Sequence, residues 1–241
     1  MSGELFAASA LTLVTGAFAG IVGAQWRARR RPYQAAWLVA LAMAAAASAS
    51  YVLFLLLGRP ALLFRLYYLF GAALNVAYLG LGSLYLASRR GLRPLVALLV
   101  LASALEAVLL LLAPVDAAQL ATASGAGTHV LRDGPWLITL ILLNGFGTLC
   151  LVGVGLYSAW SSWRRRGAPE RALANVVIAA GALTVAAAGT LARLGGAGGF
   201  WLTMLAGWII MFGGFLLANR LAASPRAGGS QPRALSGLAR K

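Results

Sequence analysis

Residues Arg93 to Pro114 read RPLVALLVLASALEAVLLLLAP. Within 94–113 the one charged side chain is Glu106. A hydrocarbon core of ~30 Å needs about 20 apolar residues to be crossed by a helix. This stretch therefore predicts a transmembrane helix. Working outward, six more stretches pass the same test. The predicted spans are 5–26, 33–57, 61–87, 94–113, 135–159, 171–193 and 199–218. Proline breaks a helix interior and suits its first turn. All eight prolines obey this rule, at Pro32, Pro60, Pro94, Pro114, Pro135, Pro169, Pro225 and Pro232.

Seven spans put the two ends of the chain on opposite sides. The arginines choose which. Loops 1–2, 3–4 and 5–6 and the C-terminal tail carry sixteen basic residues, among them Arg27, Arg29, Arg30, Arg31, Arg93 and Arg164. The opposite side carries Arg59, Arg65, Arg132 and Arg193. Basic loops stay cytoplasmic. The chain reads as an all-α, seven-helix transmembrane domain over 1–220, with its N-terminus outside and its C-terminus cytoplasmic. Residues 221–241 read as a disordered, basic cytoplasmic tail, too poor in apolar surface to offset ordering entropy. The acidic MSGE start and the long first apolar run argue against a cleavable signal peptide.

Composition agrees. The 241 residues are 61% hydrophobic and 10% charged, against about 25% charged in an average soluble domain. That excludes a soluble globular domain and a disordered chain. The net charge of +15 is a topology signal rather than a nucleic-acid footprint, so no nucleic-acid partner is expected. It implies attraction to anionic headgroups at the cytoplasmic face of the bilayer. The single cysteine, Cys150, excludes an internal disulfide. Nineteen arginines to one lysine, with heavy Ala, Leu and Gly, suggest a GC-rich bacterial genome and hence a bacterial plasma membrane. Trp26, Trp37, Trp136, Trp160, Trp163 and Trp201 lie at span ends, where an aromatic belt belongs.

Small residues let helices approach closely in lipid. Stripes of them run through span 1 (Thr12, Gly16, Gly20, Gly23), span 6 (Ala179, Ala182, Ala186, Gly189) and span 7 (Thr203, Gly207, Gly214). A seam in span 3 joins Tyr68, Gly71, Asn75, Tyr78, Gly82 and Tyr85. Packing within one bundle is the expected use. A homodimer face through span 1 is the alternative. Span 1 ends QWRARRRP and span 5 ends AWSSWRRRGAP. Each is followed by two more spans, a 3+1+3 layout found in transporters with parallel repeats. Any two helices running outside to inside also end in Trp and Arg.

Charges inside hydrocarbon are costly and usually functional. Arg65 lies ~6 Å below the outer end of span 3, and Glu106 ~10 Å below that of span 4. Similar depth predicts an ion pair, either a register device or part of a ligand site. Arg193 closes span 6 on the same side. Asn75 and Asn144 lie near mid-membrane. Arg65, Tyr68, Ala72 and Asn75 follow 3-4-3 spacing and share one face of a regular helix. Together Arg65, Tyr68, Asn75, Glu106, Asn144 and Arg193 form the candidate ligand-binding set of an outer-half pocket. The 114–134 loop, with Asp116, His129, Arg132 and Asp133, reads mainly as a solvated, flexible linker because of its SGAG run. A lid over the pocket is the alternative.

In outline, a seven-helix chain with its N-terminus outside is similar to the microbial rhodopsins. Those hold retinal on a lysine of the last helix, whereas the only lysine here is Lys241. Covalent retinal is excluded. The 3+1+3 outline is also similar to the sugar-transporting SWEET family, but its Pro-Gln motif is missing from every span interior. No catalytic, metal or phosphate-binding motif stands out. The expectation is a non-enzymatic membrane protein without cofactor or metal. Its partner is a small polar or anionic ligand, as in a transporter or receptor. The alternatives are an accessory subunit bound to another membrane protein, or a sensor with a separate cytoplasmic partner. A cysteine introduced at Ala121, in a Cys150→Ser background, should react with an impermeant thiol reagent on intact cells. Labelling only after lysis would reverse the orientation.

Overall fold

The computed structural model describes residues 2–88, 91–164, 169–194 and 199–223. Among them there is no strand, only an isolated antiparallel bridge between Val115 and Leu131. The helices are α1 (Ser2–Arg29), α2 (Pro32–Leu56), α3 (Ala61–Tyr67), a π-helical turn (Tyr68–Leu74), α4 (Asn75–Ala87), α5 (Arg93–Leu112), α6 (Ala117–Thr122), α7 (Pro135–Arg164), α8 (Pro169–Arg193) and α9 (Phe200–Ala223). Seven helices are long and apolar enough to cross a membrane, with α3, the π-turn and α4 forming one of them. This is the architecture of a multi-pass membrane protein. Four of the helices start on or next to Pro32, Pro94, Pro135 and Pro169. α9 runs to Ala223, past the boundary expected at 220. The rest of the expected tail, 224–241, lies outside the described residues.

Six of the seven spans close into a ring. α1 packs on α2, α2 on α3 and α4, α4 on α7, α7 on α8, α8 on α9, and α9 on α1. Span 4, which is α5, stands outside the ring against α7 and the π-turn. Spans 1–3 therefore fill one arc and spans 5–7 the other. A parallel duplication about an axis along the membrane normal would give this seating. One end of the ring carries the arginines Arg29, Arg31, Arg93 and Arg164, and the other carries the 114–134 loop.

The ring interior is filled, not open. Phe18, Trp37, Leu79, Leu151, Ile178, Met211 and Phe215 supply at least one side chain from each ring helix. They enclose a cavity of only about 10 Å³, the room of a single water at most. Phe18 stacks on Phe212 at 4.8 Å between centroids. Hydroxyls in the helices turn back on their own backbone. Thr15 bonds the Leu11 carbonyl, Ser48 that of Ala44 and Ser83 that of Leu79. This satisfies them where no water reaches.

Glycines set two of the crossings. α4 and α7 meet at Gly80 and Gly147, where a Cβ on Gly147 would stand 2.3 Å from the Val76 carbonyl oxygen. α8 and α9 meet through Gly181, Gly207 and Gly214, each against backbone of the other helix. The span 7 stripe thus packs as expected. In span 6 the stripe residue Ala179 packs on Gly155 of α7, while the contact with α9 runs through Ile178, Gly181 and Val185. In span 1, Gly16 and Gly20 face open space, so bundle packing does not use that GxxxG. Gly147→Ala should destabilise the detergent-solubilised protein by about 1–3 kcal/mol, through overpacking against fixed backbone. Gly145→Ala faces open space on the same helix and should gain about 0.5–1 kcal/mol from helix propensity. Equal unfolding midpoints for the two variants would contradict the α4–α7 crossing.

Candidate functional site

Of the six residues expected to line one pocket, Tyr68 lies beside Arg193 and within electrostatic reach of Glu106. Arg65 does not pair with Glu106. One of its terminal nitrogens, Nη2, donates to the Ala113 carbonyl at 2.7 Å. The last carbonyls of a helix lack intrahelical partners and carry the negative end of its dipole. The end of α5 therefore captures the guanidinium before Glu106, deeper on the same helix, can reach it. Glu106 is fully buried and accepts from the Thr139 hydroxyl of α7, leaving its second oxygen without a partner. Arg193 donates to the Tyr68 hydroxyl at 3.2 Å. Tyr68 is itself buried edge-on against Trp136.

The π-turn explains the two asparagines. An i→i+5 turn takes an extra residue and frees a carbonyl from the regular ladder. The Asn144 amide of α7 donates to the Ala72 carbonyl at 2.6 Å, inside this turn. The turn changes the helical period between Arg65 and Asn75, so 3-4-3 spacing alone does not fix the face that Asn75 takes. Asn75 is buried, and its amide oxygen has no partner.

A second polar cluster forms at the loop end, around the 114–134 segment. That segment is a folded loop rather than a solvated linker. The Asp116 amide donates to the Val130 carbonyl at 2.9 Å, and the Arg132 amide to that of Pro114 at 3.1 Å, closing its neck. Asp116 also caps α6 by accepting from the Ala118 and Gln119 amides. Ala123, Ala126, Val130 and Leu131 are buried in the bundle core.

The turn Ser124–Gly127 is held by side chains of the spans, through its backbone. The Gly125 amide donates to the Glu4 carboxyl of α1 at 2.7 Å. The Trp201 indole of α9 donates to the Gly125 carbonyl at 3.1 Å. The Tyr67 hydroxyl of α3 reaches the Ala126 carbonyl at 3.4 Å. Arg59, between α2 and α3, donates to the Ala123 carbonyl at 2.9 Å. Beneath the turn, the ring centroids of Tyr51 and Trp201 lie 4.3 Å apart, and those of Tyr51 and Tyr67 5.0 Å apart. The Tyr51 hydroxyl donates to Glu4 at 3.3 Å. Only small residues fit here. Gly127 has φ +62°, and a Cβ on it would stand 2.6 Å from the Phe64 ring.

The cluster therefore presents one acceptor, the Glu4 carboxyl, between three donors, Trp201, Tyr67 and Arg59. In this structure they meet one N–H, that of Gly125, and the carbonyls of Ala123, Gly125 and Ala126. Sequence reasoning missed Glu4, Tyr51, Tyr67 and Trp201. Glu4 was one acid in a polar start, and Trp201 one of many belt residues. The available signal was the run of small residues, SGAG, in a loop facing several aromatic span ends.

Glu4→Ala and Trp201→Phe should each lower stability by about 1–3 kcal/mol. The double variant should lose less than the sum, because both residues hold Gly125. Strict additivity in chemical unfolding would show that they do not share the turn. No protein-family model, curated protein or solved structure matches this chain.

Proposed function

We propose that this chain is a non-enzymatic binding protein of transporter or receptor type in a bacterial plasma membrane, with its loop end outside. Its ligand is a small polar solute bound in the mouth of the ring. The 114–134 loop is the lid of that site and fills it when no ligand is bound. The observation that carries this reading is the seating of residues 123–126, whose backbone is held by the Glu4, Arg59, Tyr67 and Trp201 side chains. A ligand offering an N–H beside a carbonyl or carboxylate satisfies the same groups once the turn lifts. Arg65 and Arg193, at the same end, favour an anionic portion.

The filled interior argues for a closed state and against a standing channel. Passage across the ring requires the aromatic layer around Phe18, Trp37 and Phe215 to part. The same layer favours a second reading, an accessory subunit whose bundle stays closed and whose ligand is another membrane protein.

Native mass spectrometry of gently extracted protein separates the two. The Gly127→Ala variant drives a Cβ into the Phe64 ring and leaves Glu4 and Trp201 in place, so it weakens the seating of the lid and should take up an added mixture of small amino and amide solutes more readily than wild type. Retention of a protein partner, with no solute bound by either form, would favour the accessory-subunit reading.

A further inference from the structure

At the opposite end of the molecule lies an open groove of about 740 Å³, lined by Arg29, Arg31, Pro32, Tyr33, Tyr85 and Leu86. It sits where the α1–α2 corner meets the end of α4. Its charged side chains are all basic, and no carboxylate lines it. Arg29 and Arg31 bring two guanidiniums, and Tyr33 and Tyr85 two hydroxyls. None of these groups has a hydrogen-bond or ion-pair partner among the described residues. Arg30, between them in sequence, is engaged over the Trp26 ring at 4.8 Å. Both groove arginines are exposed and both tyrosines half-buried. Leu86 and Pro32 add apolar wall. The helix starting at Pro32 has no acid in its first turn and no side-chain cap.

We propose that this groove is a specific site for a phosphate ester, with the phosphodiester headgroup of an anionic lipid as its occupant. The chemistry follows from the lining. A phosphodiester offers only acceptors, and guanidiniums bind it through paired N–H donors. Tyrosine sits at headgroup depth with its ring in apolar surroundings and its hydroxyl in the polar layer. The apolar wall takes the glycerol and the first carbons of the chains. The volume exceeds a bare phosphate and suits a headgroup. This differs from the diffuse attraction of a basic face, which depends on charge number and not on position. It is also independent of the lid at the other end.

The test is native mass spectrometry of the full chain in detergent, with phosphatidylglycerol, phosphatidylcholine or soluble glycerol 3-phosphate added. Phosphatidylglycerol should stay bound to wild type under activation that strips phosphatidylcholine. Arg29→Gln/Arg31→Gln should reduce its retention about tenfold. The control Arg27→Gln/Arg93→Gln removes the same charge from exposed positions on the same end and should retain lipid as wild type does. Tyr33→Phe/Tyr85→Phe should weaken retention several-fold with no change in charge. Binding of glycerol 3-phosphate without lipid, lost on the same two arginine substitutions, would support the phosphate site and assign it a soluble occupant. Equal loss in both arginine pairs, or no selective retention in wild type, would overturn the proposal.

Discussion

Backbone groups at membrane depth have no water to bond, so every N–H and C=O must find a partner within the protein. Helices meet this demand by themselves. The 114–134 loop is helical only in part and carries Ala123, Gly125, Ala126, Val130 and Leu131 into the protein, where its backbone bonds converge on Gly125. Its amide goes to Glu4 and its carbonyl to Trp201. These two bonds tie α1 to α9 through the turn, at the place where the ring closes on itself. The Tyr51, Tyr67 and Trp201 rings pack against one another beneath the turn.

The same demand explains the other departures from regularity. The π-turn frees a carbonyl at Ala72, and Asn144 takes it. The end of α5 leaves a carbonyl at Ala113, and Arg65 takes it. Arg59 holds a left-handed backbone at φ +64°, where its side chain is fixed by the Ala123 carbonyl and the Phe54 ring. Polar side chains in this protein mainly serve backbone, not one another.

The seven spans were legible because the hydropathy signal is strong and the prolines mark their starts. The ring order was not. It depends on helix rotation, and rotation is decided by contacts such as Gly80 on Gly147, which carry no sequence signature beyond two glycines among twenty-nine. The equal depth of Arg65 and Glu106 was legible and misleading, since depth is one coordinate and pairing needs three. The 3-4-3 face of span 3 was legible for Arg65, Tyr68 and Ala72, which all meet neighbouring segments, but spacing arguments assume one helical period, and the π-turn changes it before Asn75. The loop was misread because SGAG signals flexibility when solvated. Against a wall of aromatic rings the same small residues signal close approach.

The central claim is that the Ser124–Gly127 turn is seated in the mouth of the ring. Hydrogen–deuterium exchange of the full chain in lipid nanodiscs tests it directly. Peptides covering 123–132 should exchange at least roughly 100-fold slower than an unstructured chain, as expected for backbone that must open locally before it exchanges. Exchange of those amides at the unprotected rate, with the spans still protected, would place the turn in solvent and contradict the account.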